Sequence, residues 1–224
     1  MPPTQTEWDD WEKAAVRQLG GALRSARELA GLSQRQLAEN AGIDRGQIAN
    51  LEGGKDGVPR VSELPRLGVI VRLATALDVP PVSLIYPNPP AGEVEPWPGH
   101  KTRAILAAQW FSGELTASQA SDYLPEFTAD QQDRQYRRAK RWRLARELEA
   151  AKSQHGVARL THDPNGARAQ STKAIVDATR KHLVECLVDV MLELETLYID
   201  DPGIEYGVMD EAQAAYQSIK KQDG

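Results

Sequence analysis

The chain has one cysteine, two phenylalanines and no long apolar run, and each shortage excludes a class of protein. Cys186 alone cannot form an intramolecular disulfide or a multi-thiolate zinc site, which excludes disulfide-rich secreted scaffolds and cysteine-rich zinc fingers. No stretch approaches the roughly 18 apolar residues that a membrane span needs, and the acidic segment 1–13 is unlike a signal peptide. We therefore expect a soluble cytoplasmic protein with no membrane partner.

An excess of positive charge is also missing. The 224 residues include 27 Lys and Arg against 32 Asp and Glu, for a net charge of −5. A protein that coats nucleic acid with its whole surface is basic, so any nucleic-acid site must be local. The length suits two domains, since a domain usually takes about 100 to 200 residues. Strand-like alternation is scarce, and the sequence predicts an all-α fold.

Composition changes at residues 87–102, where five prolines and two glycines exclude a helix interior or a central strand. We predict an N-terminal domain over residues 1–87, a Pro-rich linker over 88–101, and a helical oligomerisation or effector domain over 102–224.

Within the C-terminal half, apolar spacing predicts several helices, separated by a turn that contains Asp-Pro-Asn-Gly. The predicted helices cover residues 101–113, 129–155, 171–199 and 210–220, and the predicted loop covers 156–170.

The most informative stretch runs from Leu19 to Lys55. Apolar residues at three- and four-residue spacing predict a first helix that stops at Gly31. Residues 6–18 are predicted as an amphipathic helix that either extends this helix at its start or precedes it. Ser33 and Gln36 form a capping box that opens a second helix. Gly42 suits the tight turn that follows, and Asp44 can cap a third helix from Arg45 to about Glu52. Two short helices joined by such a turn are typical of a helix-turn-helix.

The same stretch resembles the Cro- and phage-repressor-type helix-turn-helix family, also called the XRE family. The resemblance covers about residues 17–86. Its motifs are L-G-x-x-L-R-x-x-R-x-x-A-G-L-S-Q-x-x-L-A at 19–38, A-G-I at 41–43, I-A-x-L-E-x-G-K at 48–55 and L-A-x-A-L-D-V at 73–79. It implies a five-helix lambda-repressor-like domain that binds double-stranded DNA. A module of this fold reused for protein contacts is the alternative.

The resemblance also implies roles for individual residues. Arg45, Gln47 and Asn50 are expected to read the major groove, because Arg pairs with guanine and Gln or Asn with adenine. A partly buried ion pair is expected between Arg27 and Glu52. The full expected DNA-binding set is Gln34, Arg35, Arg45, Gly46, Gln47, Asn50, Lys55 and Arg60.

After Lys55 the sequence departs from compact members of the family, because the loop is longer and contains two prolines. The positions of Arg60 and Arg66 are therefore left open. Residues 17–72 carry nine Lys or Arg against six Asp or Glu, a local charge of +3 whose sign suits a DNA-binding surface.

A heptad-like spacing of apolar residues predicts an oligomerisation seam in the C-terminal half, and hence a homodimer on a palindromic site. Closure of the seam within one chain, and a monomer on an asymmetric site, are the alternatives. The seam consists of Leu183, Leu187, Val190, Leu194 and Leu197.

Residues 134–146 contain seven basic side chains interleaved with Tyr136 and Trp142. They form either a second DNA contact or a solvated face whose cations pair with the acidic segment 189–195. The former would use Arg134, Arg137, Arg138 and Arg141.

Neither a catalytic site nor a metal or cofactor site is predicted. Ala91-Gly92 resembles the scissile dipeptide of self-cleaving repressors, but no Ser-Lys pair stands out and the region after residue 102 is helical. HExxH is absent. His155, His162, His182 and Cys186 are only weak material for a metal site.

The sequence thus predicts a transcriptional repressor that occludes its operator. The alternative is an antitoxin-like regulator whose helical half binds a protein partner, and a small-molecule pocket in that half is a third hypothesis.

Overall fold

The computed structural model describes residues 3–54, 57–120, 128–197, 199, 201 and 203–222. Its contacts divide the chain into two compact units, Met1–Gln132 and Asp133–Gly224. Ten helices and one two-stranded antiparallel sheet lie in the described residues, so the predicted all-α class is confirmed with one small hairpin added.

The first unit holds α1 (Gln5–Leu29), α2 (Gln34–Ala41), α3 (Arg45–Glu52), α4 (Leu67–Ala76), α5 (Pro81–Ile85), β1 (Glu93–Trp97), β2 (His100–Arg103), α6 (Ala104–Phe111) and α7 (Ala117–Ala120). The second unit is built from α8 (Ala129–Thr161), whose first turn precedes the boundary, α9 (Ala169–Leu194) and α10 (Tyr206–Gln222). None of the helices in the described ranges is long and apolar enough to cross a membrane.

Helix α1 includes the predicted N-terminal extension as one continuous helix. It begins at a capping box in which the Thr4 hydroxyl accepts from the Glu7 amide and the Glu7 carboxylate accepts from the Thr4 amide. It ends as predicted at Gly31, whose φ of +68° lets the amide of Leu32 donate to the carbonyl of Arg27 at 3.0 Å.

Helices α1 to α5 enclose one apolar core. Its fully buried side chains include Leu23, Leu37, Ile48 and Leu73. Helices α1 and α3 cross closely at Gly20, where a Cβ atom would lie 2.1 Å from the carbonyl oxygen of Leu51. The close crossing therefore depends on the absence of a side chain at this position, and it fixes α3 against the rest of the domain.

Residues 88–101, predicted as a Pro-rich linker, contain β1 and the turn into β2. The strands pair Glu93 with Arg103 and Trp97 with His100, and they contact α1 and α6. Pro96 is tolerated in β1 because both strands of a two-stranded sheet are edges. The division into domains 1–87 and 102–224 stays a prediction.

In the second unit, α9 packs on α10 and its core also receives Leu148 and Ala151 of α8. The predicted C-terminal ends of α8 and α9 were both wrong. Helix α8 continues through Gly156 to Thr161, because Ala158 is buried and the Asp-Pro-Asn-Gly turn needs only residues 163–166. Helix α9 stops at Leu194, since Glu195 adopts a left-handed conformation with φ +51°.

Candidate nucleic-acid interface

The two helices of the predicted motif have the predicted ends. The Ser33 hydroxyl accepts from the Gln36 amide at 3.2 Å, and the Gln36 side chain accepts from the Ser33 amide at 2.9 Å, which completes the capping box of α2. Gly42 ends α2 with a φ of +62°. The Ile43 amide then donates to the carbonyl of Ala38 at 3.1 Å, and this bond closes the turn between α2 and α3.

Helix α3 presents the predicted reading face to solvent. Asp44 caps the helix, and its carboxylate accepts from the Gly46 amide at 2.6 Å. Ile48 and Leu51 are buried, which fixes the rotation of the helix about its axis. As a result, Arg45, Gly46 and Gln47 are exposed and Asn50 is half-buried.

The expected ion pair between Arg27 and Glu52 joins α1 to the last turn of α3. The guanidinium donates to both carboxylate oxygens, from Nε at 2.7 Å and from Nη2 at 2.8 Å. The Glu52 side chain is fully buried. Hydrogen bonding to the Glu52 carboxylate raises the pKa of Arg27. The pair therefore holds α3 against α1.

Arg24, which sequence reasoning missed, caps the C-terminal end of α3. Its Nη2 donates to the carbonyl oxygens of Glu52, Gly53 and Gly54, at distances from 2.8 to 3.1 Å. A guanidinium at a helix C-terminus satisfies carbonyls that have no partner within the helix and opposes the helix dipole. The signal was present in the sequence, because Arg24 precedes Arg27 by three residues and shares its helix face.

Gln34 belongs to the same buried network. Its side-chain amide donates to the Glu52 carboxylate at 2.9 Å, and the residue is half-buried. The structure thus ties Gln34 to the base of α3, while its neighbour Arg35 is exposed and pairs with Glu39 at 2.9 Å. Lys55 lies outside the described residues.

The long loop after α3 comes back to lie beside it. The Arg60 amide donates to the carbonyl of Asn50 at 2.8 Å, and the Arg60 side chain is exposed. A groove of about 590 Å³ separates the loop from α3, and Gln47, Asn50, Arg60 and Arg66 are among its lining residues. The structure therefore brings both arginines, whose positions the sequence left open, next to the reading face.

The basic segment of α8 is partly neutralised within the second unit. Glu193 of α9 accepts from Lys140 at 2.8 Å and lies 3.5 Å from Arg141, and these bonds lower its pKa. Arg137 pairs with Asp133. Arg134 and Arg138 are exposed. Arg141 therefore pairs with the acidic segment 189–195, which was the alternative to a second DNA contact.

The predicted seam is divided between core and surface. Leu183, Leu187 and Val190 are buried in the core that α9 shares with α10. Leu194 and Leu197 are 45% and 46% exposed, and α9 ends between them. The first three residues therefore pack inside the chain's own core, and the last two are exposed to solvent.

The histidines considered for a metal site each contact a different partner. Nδ1 of His155 lies 3.1 Å from the hydroxyl of Thr179, and Nδ1 of His162 lies 2.8 Å from that of Thr172. His182 contacts the buried thiol of Cys186 at 3.8 Å. No group of three or more metal-ligating side chains occurs among the residues that the structure describes.

Residues 18–84 match the sequence model of a family described as a helix-turn-helix domain. The match begins within α1 and ends in α5, and it contains the α2–turn–α3 motif and the Arg27–Glu52 pair. No curated protein and no solved structure matches the chain. The residues that carried the resemblance to phage-type repressors are therefore those of a helix-turn-helix domain.

Proposed function

We propose, from the helix-turn-helix domain at residues 18–84, that the protein is a transcriptional regulator that binds a specific double-stranded DNA site and represses by occluding it. The observation that supports this most directly is the exposed face of α3. Arg45 and Gln47 project from a helix whose other side is fixed by Ile48, Leu51 and the buried Glu52.

This face has the chemistry of direct base readout. Arg can donate two hydrogen bonds to guanine, and Gln or Asn can exchange two with adenine, each worth about 1–3 kcal/mol of discrimination. Gly46 has no side chain, so the backbone at this position in the first turn of α3 can approach the DNA closely. Arg60 and Arg66 line the groove beside this face, and Arg35 is exposed on α2, so all three are candidates for phosphate contacts.

We also propose that the protein acts as a homodimer on a palindromic site through its second unit. Leu194 and Leu197 are exposed at the end of α9. The ion pair between Arg141 and Glu193 brings the neighbouring Trp142, which is 65% exposed, to the same end of the unit. A cluster of large exposed apolar side chains is typical of an interaction surface.

The test of DNA recognition is selection of bound duplexes from a random library by the full-length protein, followed by gel-shift titration of the selected site. Arg45→Ala and Asn50→Ala should each weaken binding by about 1–3 kcal/mol and relax the preference at one base pair. Arg168→Ala, an exposed substitution in the second unit, is the control. If no site is enriched, or if both α3 variants bind like the control, the proposal is wrong and a protein-interaction regulator becomes the better hypothesis.

The test of the dimer is mass by light scattering, with Leu194→Glu and Leu197→Glu as variants. Both residues are exposed in the chain by itself, so these substitutions should leave the fold intact and convert a dimer to a monomer. A wild-type monomer bound to an asymmetric site would contradict this part of the proposal and leave DNA recognition standing.

A further inference from the structure

The first unit contains a cavity that plays no part in the proposed DNA contact. It has a volume of about 400 Å³ and lies between the first half of α1, the start of α4, β1 and α6. Six aromatic side chains contribute to its wall. They are Trp8, Trp11, Tyr86, Trp97, Trp110 and Phe111.

Long-range hydrogen bonds hold the walls of the cavity in place. The Trp11 indole donates to the carbonyl of Glu95 at 2.7 Å, which joins α1 to β1. The Gln18 side chain donates to the carbonyl of Ile85 at 2.7 Å. The Leu64 amide donates to the Glu12 carboxylate at 3.0 Å. The cavity is therefore formed before any ligand arrives, which lowers the ordering cost of binding.

The aromatic walls also support one another. Trp97 and Trp110 lie 4.6 Å apart between ring centroids, Trp8 and Trp11 are 5.5 Å apart, and Tyr86 meets Phe111 edge to face at 5.9 Å. Ring faces carry negative partial charge, so they attract flat apolar rings and cations.

The charges around the cavity argue against an anionic ligand. Glu95 is the one charged residue among the described residues that line it, and no Lys or Arg does so. Burial raises the pKa of Tyr86 to about 12, so its hydroxyl stays neutral. This hydroxyl makes no hydrogen bond to any part of the chain that the structure describes, and it can serve a ligand as a polar contact.

We propose that this cavity is a binding site for a flat aromatic molecule that is uncharged or carries one positive charge. Ligand pockets usually measure about 300–1,000 Å³ and combine apolar walls with a few polar groups. The cavity meets both conditions, with Tyr86 and Glu95 as its polar groups. An anion finds no cation in the wall, and the carboxylate of Glu95, which accepts from the Gly99 amide, places a negative charge nearby.

The site also touches the loop beside the reading helix. Leu64 and Pro65 line both this cavity and the groove next to α3, whose wall includes Arg60 and Arg66. A ligand that contacts Leu64 and Pro65 will favour one position of this loop and thereby change DNA affinity. This regulatory step rests on the proposed function, whereas the binding site itself does not.

Calorimetric titration of the full-length protein at neutral pH tests the site with three probes of the same ring system: indole, tryptamine and indole-3-acetate. We expect saturable binding of neutral indole and cationic tryptamine. The anion should bind at least about tenfold more weakly, a difference of about 1.4 kcal/mol, because the wall offers it no cation. No heat with the first two probes, or equal affinity for all three, overturns the proposal.

Two variants locate the binding inside the cavity. Ala15→Phe places a ring in the cavity and should abolish binding, while Tyr86→Phe keeps the shape and should weaken binding of tryptamine by several-fold to about tenfold. Tyr206→Phe removes the same hydroxyl from a tyrosine that is 85% exposed in the second unit, and it is the control. Circular dichroism melts show whether each variant folds. If Ala15→Phe does not fold, the affinity of Tyr86→Phe decides whether the probe binds inside the cavity. Wild-type affinity in Tyr86→Phe, or lost binding in the control, overturns the assignment.

The regulatory step is measured separately, as the affinity of the selected DNA site with and without saturating tryptamine. An affinity that changes severalfold supports the coupling through Leu64 and Pro65. An unchanged affinity overturns the coupling alone. Failure to select any DNA site overturns the proposed function, while the calorimetric result still decides the ligand site.

Discussion

One buried carboxylate organises the base of the candidate reading helix. Glu52 accepts hydrogen bonds from Arg27 on α1 and Gln34 on α2, and Nε of Arg24 lies 4.0 Å away. A buried charge is costly unless it is paired, so the three neighbours matter as a group. Glu52 thus links three helices through one side chain.

Removal of Arg27 should be strongly destabilising, because it leaves Glu52 charged and buried. We expect Arg27→Ala to lower the free energy of unfolding by about 3–5 kcal/mol in urea denaturation. Arg35→Ala is the matched control, because its pair with Glu39 is exposed and should contribute less than about 1 kcal/mol. Equal losses in the two variants would contradict the role of the buried pair.

Two adjacent glycines in α1 should respond in opposite directions to the same substitution. Gly20→Ala places a Cβ against the carbonyl oxygen of Leu51, so α1 and α3 must separate, at a cost of about 1–3 kcal/mol. A Cβ at Gly21 meets nothing within 4 Å, so Gly21→Ala should stabilise the helix by about 0.5–1 kcal/mol. Thermal melts of the two variants check both signs, and a loss in both would argue against the close crossing.

At the scale of elements, the sequence predicted best where a local signal determines structure. The capping box at Ser33, the turn at Gly42 and the cap at Asp44 each act within four residues, and all three were found where expected. The ion pair between Arg27 and Glu52 is a distant contact, and it was predicted only through the family resemblance.

Features set by distant contacts were harder to predict. The β1–β2 hairpin depends on packing against α1 and α6, and a Pro-rich composition gives no sign of that. The apolar spacing of α9 marked Leu183, Leu187 and Val190, which are buried, but it could not distinguish a partner chain from α10 of the same chain. The aromatic cavity brings together residues as far apart as Trp8 and Phe111, and no local pattern joins them.

The contact between α8 and α9 should weaken at mildly acidic pH because of His155. Burial, followed by the nearby charges of Arg159 and Arg180, lowers its pKa below the ordinary value of 6.5, while Thr179 contacts it from α9. The unfolded chain therefore binds this proton more readily than the folded chain. The stabilisation is complete above pH 6.5 and is lost as the pH falls through the lowered pKa.

Melting temperatures between about pH 7.5 and 5 measure this effect. In His155→Gln the side chain at this position cannot titrate, so the melting temperature should change less with pH in that range. Thr179→Val is the control, since it removes the hydrogen-bonding partner but leaves the histidine buried, so its curve should be lower with the slope retained. A slope in His155→Gln as steep as that of the wild type would show that other groups are responsible.

At the scale of the whole molecule, the proposed DNA binding requires a local basic surface, because the chain has a net charge of −5. The reading face and its loop provide Arg45, Arg60 and Arg66 in the first unit, and all three are exposed. In the basic segment of the second unit, Arg141 is paired with Glu193 and Arg137 with Asp133. The ion pairs within α8 and α9 favour the first unit as the main source of phosphate contacts.

The salt dependence of DNA binding tests this distribution of charge. Each phosphate contact contributes about 0.9 to the slope of log K against log salt, so Arg60→Ala should lower the slope by about 1 for a bound monomer. In a dimer both protomers lose the contact, and the fall should be about 2. Arg141→Ala should leave the slope unchanged, because its partner is Glu193 and not DNA. If Arg141→Ala instead lowers the slope as much as Arg60→Ala does, the basic segment of α8 is a second DNA contact.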